Sequence, residues 1–292
     1  MMTAVAVLAL SLAQADREVT VPIGSSEVTV VFPEKPLSVT RDQVVAWVKA
    51  CGDTIVDYFG KFPVAKVRIE LSSNGKGGVK SARTWNGRLI RLQLGSGAKE
   101  ETLRDDWMLT HEFCHLSFPD LDEKFAWVYE GMAVYTEPIA RVRAGRMKAP
   151  QMWKETLEGM PKGMPGPGDG ALDGTTAWGR KYWGGALFWL RADLGIREKS
   201  GGKASLQTAL RGILDAGGNG TQRWSPEEIA RKGDEATGTT VLQDLYREMG
   251  QAAYKADLPA LWKQLGVAKA GADVVVDDQA PQAALRKALT ER

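Results

Sequence analysis

The chain reads as an α+β fold, and three features of the sequence predict it. Strand-type alternation is confined to residues before about 98, helical periodicity dominates from Glu100 onward, and the 43% hydrophobic content suits a soluble protein with a substantial core. A small mixed N-terminal sheet with helices is therefore expected to be followed by a mainly helical half. The expected divisions are a signal peptide at 1–15, an N-terminal α/β subdomain at 16–98, and a helical subdomain at 99–292 ending in a helical tail.

The 292 residues carry 38 Lys+Arg against 36 Asp+Glu, a formal net charge of +2. No long run of either sign occurs, so neither a nucleic-acid groove nor a polybasic membrane patch is indicated. The uncharged apolar run 4–13 and the small-x-small triplet Ala13-Gln14-Ala15 precede the first charge at Asp16. That arrangement predicts a secretory signal cleaved after Ala15, hence an exported protein, periplasmic or extracellular. The run is too short to span about 30 Å of hydrocarbon as a helix, so no stable membrane span is expected after cleavage. Two cysteines, Cys51 and Cys114, are too few for a disulfide scaffold. They either bridge, if the fold brings their Cα atoms within about 4.4–6.8 Å, or lie apart as small buried residues.

In chain order, EVTVPI and EVTVVF flank Gly24-Ser25-Ser26 and predict a hairpin over 18–32. Val44, Val48, Cys51, Ile55 and Tyr58 recur at three- and four-residue steps, giving a helix to about Phe59 capped by Thr40 or Ser38. Strand pattern returns at 64–71 and 88–94, separated by SNGKGGVKSARTWNG. Helices are expected at 101–118, stopped by Pro119, and at 125–142, 178–199, 204–216, 226–232, 239–254 and 258–265. The Gly-, Pro- and Met-rich stretch 159–174 is long for a connection and is a candidate rim or lid.

The sequence holds only two histidines, His111 and His115, in HEFCH. An i, i+4 pair on a helix puts both imidazoles on one face, within reach of one metal ion. Two histidines placed at random in a chain of this size would fall four apart in under about 1% of cases, so the motif carries weight. A catalytic zinc takes three protein ligands and leaves one position open. No third histidine exists, and Cys114, next to His115, points about 100° away around the helix. Asp120, Asp122 and Glu123 lie in the polar turn after Pro119, while Glu130 lies on the next helix in WVYEGMAVYTEP. Glu130 is the expected third ligand, because packing on a helix fixes a carboxylate better than an exposed turn does. Glu112, one residue after a ligand, projects beside the metal position, where a carboxylate can take a proton from an attacking water. One Zn²⁺ per chain is expected.

HEFCH followed by WVYEGMAVYTEP resembles the two zinc-binding helices of the gluzincin metallopeptidases. RKYWGGALFWLRADLGIREKSGGKASLQTALRGIL at 180–214 is similar to the glycyl aminopeptidase-like branch, where a tyrosine precedes a small-residue helix ending in an Asp, an Ile-Arg and a Ser-Leu segment. The likeness runs over roughly residues 100–265 as a motif judgement. It implies a gluzincin-type catalytic fold reduced to a minimal unit, with the active site between the sheet-bearing and helical halves, and zinc peptidase activity on a peptide or protein substrate. It further implies His111, His115 and Glu130 as ligands, Glu112 as general base and acid, and Tyr182 as donor to the tetrahedral oxyanion. The 14 residues between His115 and Glu130 make a tight connection. No counterpart of the Gly-x-Met-Glu-Asn segment that holds a free amino terminus is found; GKGGVKSARTWNG offers Lys and Arg instead.

Trp178, Trp183, Phe188 and Trp189 are expected in the core, and Gly184-Gly185 at a close helix crossing. Asp193 and Glu137 compete as partners that orient a histidine, with an ion pair to Arg191 or Arg197 as the plain alternative for Asp193. The other function classes are a zinc-binding protein without turnover that binds a peptide or partner, and a hydrolase of another amide such as cell-wall peptide.

Overall fold

The computed structural model describes residues 17–291; the expected signal peptide and its cleavage site lie outside them. The fold is α+β. Strands β1 (Glu18–Ile23), β2 (Ser26–Val31), β3 (Lys66–Ser73), β4 (Val79–Trp85) and β5 (Leu89–Leu94) form one sheet in the order β1-β2-β3-β5-β4. β1 and β2 are antiparallel, β2-β3 and β3-β5 parallel, and β4 returns antiparallel along β5 as an edge. Helix α1 (Arg41–Phe59) makes the crossover from β2 to β3. Thr40 caps it, accepting from the Gln43 amide while the Gln43 side chain accepts from the Thr40 amide, and Gly60 ends it at φ 85°.

β4 was not expected. Its residues, VKSARTW, bury neither face fully, so the apolar alternation that marks a half-buried strand is missing. The signal that does mark it is Asn86-Gly87, at φ 50° and 61°, the two-residue turn that matches strand twist.

After the sheet come short α2 (Glu100–Arg104), α3 (Met108–Leu116), α4 (Ala126–Arg143) and α5 (Ala149–Gly159). The π-helical turn Arg180–Gly184 leads into α6 (Gly185–Lys199). Helices α7 (Leu206–Asp215), α8 (Pro226–Thr237), α9 (Val241–Leu245) and α10 (Leu258–Leu265) follow. The chain ends in a hairpin, β6 (Val267–Ala270) with β7 (Asp273–Val276), and α11 (Ala283–Thr290).

The single helix expected over 101–118 is two. The buried Asp106 carboxylate accepts from the Met108 and Leu109 amides, satisfying donors that a new helix would otherwise orphan. α5 was missed in the sequence, and the 239–254 segment is helical only to Gly250, its last turn being π-helical. One continuous core joins sheet and helices, from Val21 on β1 to Leu289 on α11. No described helix is long and apolar enough to cross a membrane.

Candidate active site

Helix α3 presents His111, Glu112 and His115, and α4 packs against it to bring Glu130 opposite. The two Nε2 atoms are 3.2 Å apart, and Glu130 Oε2 lies 3.4 Å from His111 Nε2 and 3.5 Å from His115 Nε2. Four ligands at about 2.0–2.1 Å around tetrahedral zinc stand roughly 3.3–3.4 Å from one another, so this triangle has the dimensions of a zinc site. Glu130 Oε2 is also buried without a hydrogen-bond partner, an acceptor aimed at something other than a protein donor. The residues present fit the metal.

Neighbouring rings hold the imidazoles. Trp107 meets His111 edge-on at 5.5 Å, and Tyr129 meets His115 edge-on at 5.7 Å. Burial pulls the His115 pKa down, but the Glu130 carboxylate outweighs it and leaves the ring raised. Burial works against ionised Glu130, and the two imidazoles override it, holding the carboxyl well below its ordinary range.

Glu112 is 7% exposed, and its Oε2 accepts a 2.7 Å hydrogen bond from the Thr84 hydroxyl on β4. The edge strand thus fixes the carboxylate beside the histidines. Tyr182 lies on the π-helical turn, a wide turn that is common at functional sites. Burial, and then the Glu130 carboxylate that it faces, push its phenol above the ordinary value. The ring is stacked on Trp178, with centroids 5.2 Å apart.

The approach of α4 to α6 rests on glycine. A Cβ on Gly131 would lie 2.3 Å from the Gly185 carbonyl carbon, and one on Gly185 would lie 2.1 Å from the Trp127 oxygen. Backbone contact here, beside Glu130 and three residues from Tyr182, sets their separation; the close crossing expected at Gly184-Gly185 is found. These groups open onto a cleft of about 650 Å³, walled on one side by β4 and its turn, 82–87, and on the other by α3, α4 and the turn that carries Tyr182.

Other sequence expectations need correction. Trp178 is 59% exposed on the cleft wall rather than core, whereas Phe188 and Trp189 are buried as expected. Asp193 takes the plain alternative, an ion pair with Arg197 at 2.9 Å, and orients no histidine; it also accepts from Tyr135 and from the Leu206 amide, a buried node joining α4, α6 and α7. Glu137 likewise pairs with Arg141 at 3.0 Å. Arg180 donates to Gly170 away from the cleft. The 159–174 stretch is anchored at both ends, with Met160 buried at one and, at the other, the Leu172 and Asp173 amides bonded to Met249 and Gly250 and the Asp173 carboxylate accepting from Trp127 and Tyr246, while 166–170 is exposed. It is no free lid; the cleft rim is Thr176 and Trp178. Both cysteines are buried and free. Asp120 and Asp122 pair with Arg223, and Glu123 with Lys181, as expected of acids in a polar turn. Thr84, Arg83 and Trp85 were missed because β4 was.

No protein-family model matches the sequence, and no curated protein matches it. Solved structures do match in fold. An aminopeptidase N family protein from Idiomarina loihiensis superposes with TM-score 0.65 at 15% identity, covering 86% of this chain and 49% of that one. An M1 zinc metallopeptidase from Deinococcus radiodurans gives TM-score 0.54 at 16% identity, covering 83% and 52%. A mutant of the latter, bound to a Tyr-Ser-Ala substrate, gives TM-score 0.54 at 16% identity, covering 83% and 53%. The chain spans about half the length of these proteins and shares the fold of M1 zinc metallopeptidases over that half.

Proposed function

We propose that this chain is an exported zinc-dependent peptidase that hydrolyses peptide bonds, with His111, His115 and Glu130 as the ligands of one zinc ion. The observation that carries the reading is the triangle of ligand atoms at 3.2–3.5 Å with Glu112 and Tyr182 on the same cleft. That solved relatives in fold are zinc metallopeptidases, one with a bound tripeptide, supports the substrate class.

Zinc held there supplies Lewis acidity to a peptide carbonyl and to the water that attacks it. Glu112, steadied by Thr84, takes the proton from that water as its oxygen bonds to the carbonyl carbon. The Tyr182 phenol, kept protonated by its surroundings, donates to the oxyanion as it develops. Glu112 then passes the proton to the leaving nitrogen as the C–N bond breaks. A protein that only bound peptide would have no need of a base and a phenol at this place.

The test is to incubate purified, zinc-loaded protein with peptides whose amino termini are free or acetylated. Hydrolysis should appear, vanish with a chelator and return with zinc. Glu112→Gln should keep zinc and lose nearly all turnover; near-normal turnover in that variant would sink the mechanism. Export is tested separately by N-terminal sequencing of secreted protein, which should begin at Asp16.

A further inference from the structure

Four carboxylates and three Lys or Arg side chains line the cleft. Three of the carboxylates are bonded, Glu112 to Thr84, Glu123 to Lys181 and Tyr129, and Asp120 to Arg223, and the fourth, Glu130, faces the two imidazoles at 3.4 and 3.5 Å. A peptide's terminal ammonium would therefore have to compete for a carboxylate that already has a partner. Among the cations the position is reversed. Lys181 and Arg223 are paired, while Arg83 has no carboxylate within ion-pair distance among the described residues.

Arg83 is also placed against local electrostatics. It stands directly across from Arg91 in the β4-β5 register, a like-charge pair that costs stability, and Glu70 offsets only Arg91. Its guanidinium lies 4.5 Å over the Trp85 ring, which restricts its orientation on the cleft wall. The next residue, Thr84, holds Glu112. Successive side chains of a strand point to opposite faces, so Arg83 and Trp85 share the more exposed face of β4 while Thr84 reaches Glu112 on the other; a peptide pairing along the free edge of β4 has alternate side chains on the Arg83 face, at about 3.3 Å of rise per residue from the bond that Glu112 attends.

We infer that Arg83, held on Trp85, is a subsite for a carboxylate carried by the substrate, so that the chain takes acidic peptides and reads them without their amino terminus. This rests on the peptidase reading but has its own readout. An Arg–carboxylate contact in such a wall is charge-assisted and can be bidentate, and it weakens with salt.

Matched peptides, acetylated and amidated, should carry Glu or Gln at successive positions around one cleavable bond. At the responsive position wild-type kcat/KM should favour Glu about tenfold, and the preference should shrink as salt rises toward about 0.5 M. Arg83→Gln should bring the ratio to about one, and Arg83→Glu should turn the preference toward a Lys peptide. If Arg83→Gln loses its thermal transition, Arg83→Lys should fold and keep a reduced preference. Calorimetry of the same blocked peptides on zinc-loaded Glu112→Gln should show the Glu preference in Kd. Equal rates for Glu and Gln in wild type, a preference that survives Arg83→Gln, or cleavage of free-amine peptides alone would overturn the subsite while leaving a peptidase. A Glu preference in binding, with no peptide hydrolysed by wild type, would uphold the subsite and end the peptidase reading.

Discussion

At the scale of residues, each group of the site has a separable signature. His111→Ala, His115→Ala and Glu130→Ala should each abolish zinc in metal analysis, whereas Asp122→Ala, whose partner is the exposed Arg223, should retain about one zinc per chain. Tyr182→Phe should leave metal content intact and lower kcat by about 10² to 10³ with little change in KM, as expected for a donor that acts mainly in the transition state. A loss of thermal stability with unchanged rate would make Tyr182 a packing residue. Thr84→Val removes the hydroxyl that holds Glu112 yet keeps shape and strand preference. It should retain zinc and lower kcat at least about tenfold, since one hydrogen bond to a charged group is worth about 1.5–3 kcal/mol. An unchanged rate would show that Glu112 is positioned without the edge strand.

At the scale of elements, the geometry of the cleft is set by where helices begin and how closely they cross. Asp106 starts α3 afresh at Met108, so the helix that carries His111 and His115 takes its direction from a buried side-chain cap rather than from α2. Helices α4 and α6 touch backbone to backbone at Gly131 and Gly185. Gly131→Ala should therefore behave as overpacking despite alanine's better helix propensity, costing about 1–3 kcal/mol in denaturant unfolding. Because the same contact separates Glu130 from Tyr182, kcat should fall in that variant even where it is fully folded. A stabilised, fully active Gly131→Ala would refute the close crossing.

At the scale of the whole molecule, a buried acid makes stability depend on pH. Burial pushes the Glu137 carboxyl up to about 8, and Arg141, although 3.0 Å away, only partly offsets this. The unfolded chain releases that proton near about 4.3, so between the two values the folded state holds one proton more and stability falls as pH rises. The slope is at most about 1.4 kcal/mol per pH unit from this one group. Glu137→Gln keeps an acceptor for Arg141 and should flatten unfolding free energy against pH from about 5 to 8. A wild-type slope that survives the substitution would assign it elsewhere. Zinc, which binds the folded site, should raise the unfolding midpoint with its concentration, and His115→Ala should remove the increase.

The helix that carries HEFCH was legible in the chain because it is local. HEFCH puts two imidazoles and a carboxylate on adjacent helical positions, and an i, i+4 spacing needs no partner element to be meaningful. Helix α1 with its Thr40 cap, the hairpin of β1 and β2, and the helical second half were legible for the same reason, since capping and periodicity act within a few residues. The edge strand was not, because VKSARTW buries no continuous face and takes its order from pairing with β5, so Thr84, Arg83 and Trp85 entered the site unannounced. Trp178 fell to the cleft wall although it shares aromatic spacing with buried Trp189: only packing against α4 decides which side of that segment faces the core. The triangle of His111, His115 and Glu130 belongs to both levels. Sequence chose its residue types, while the packing of α4 against α3, whose start the buried Asp106 cap sets, brought three polar atoms within 3.5 Å and left the Glu130 oxygen buried without a hydrogen bond.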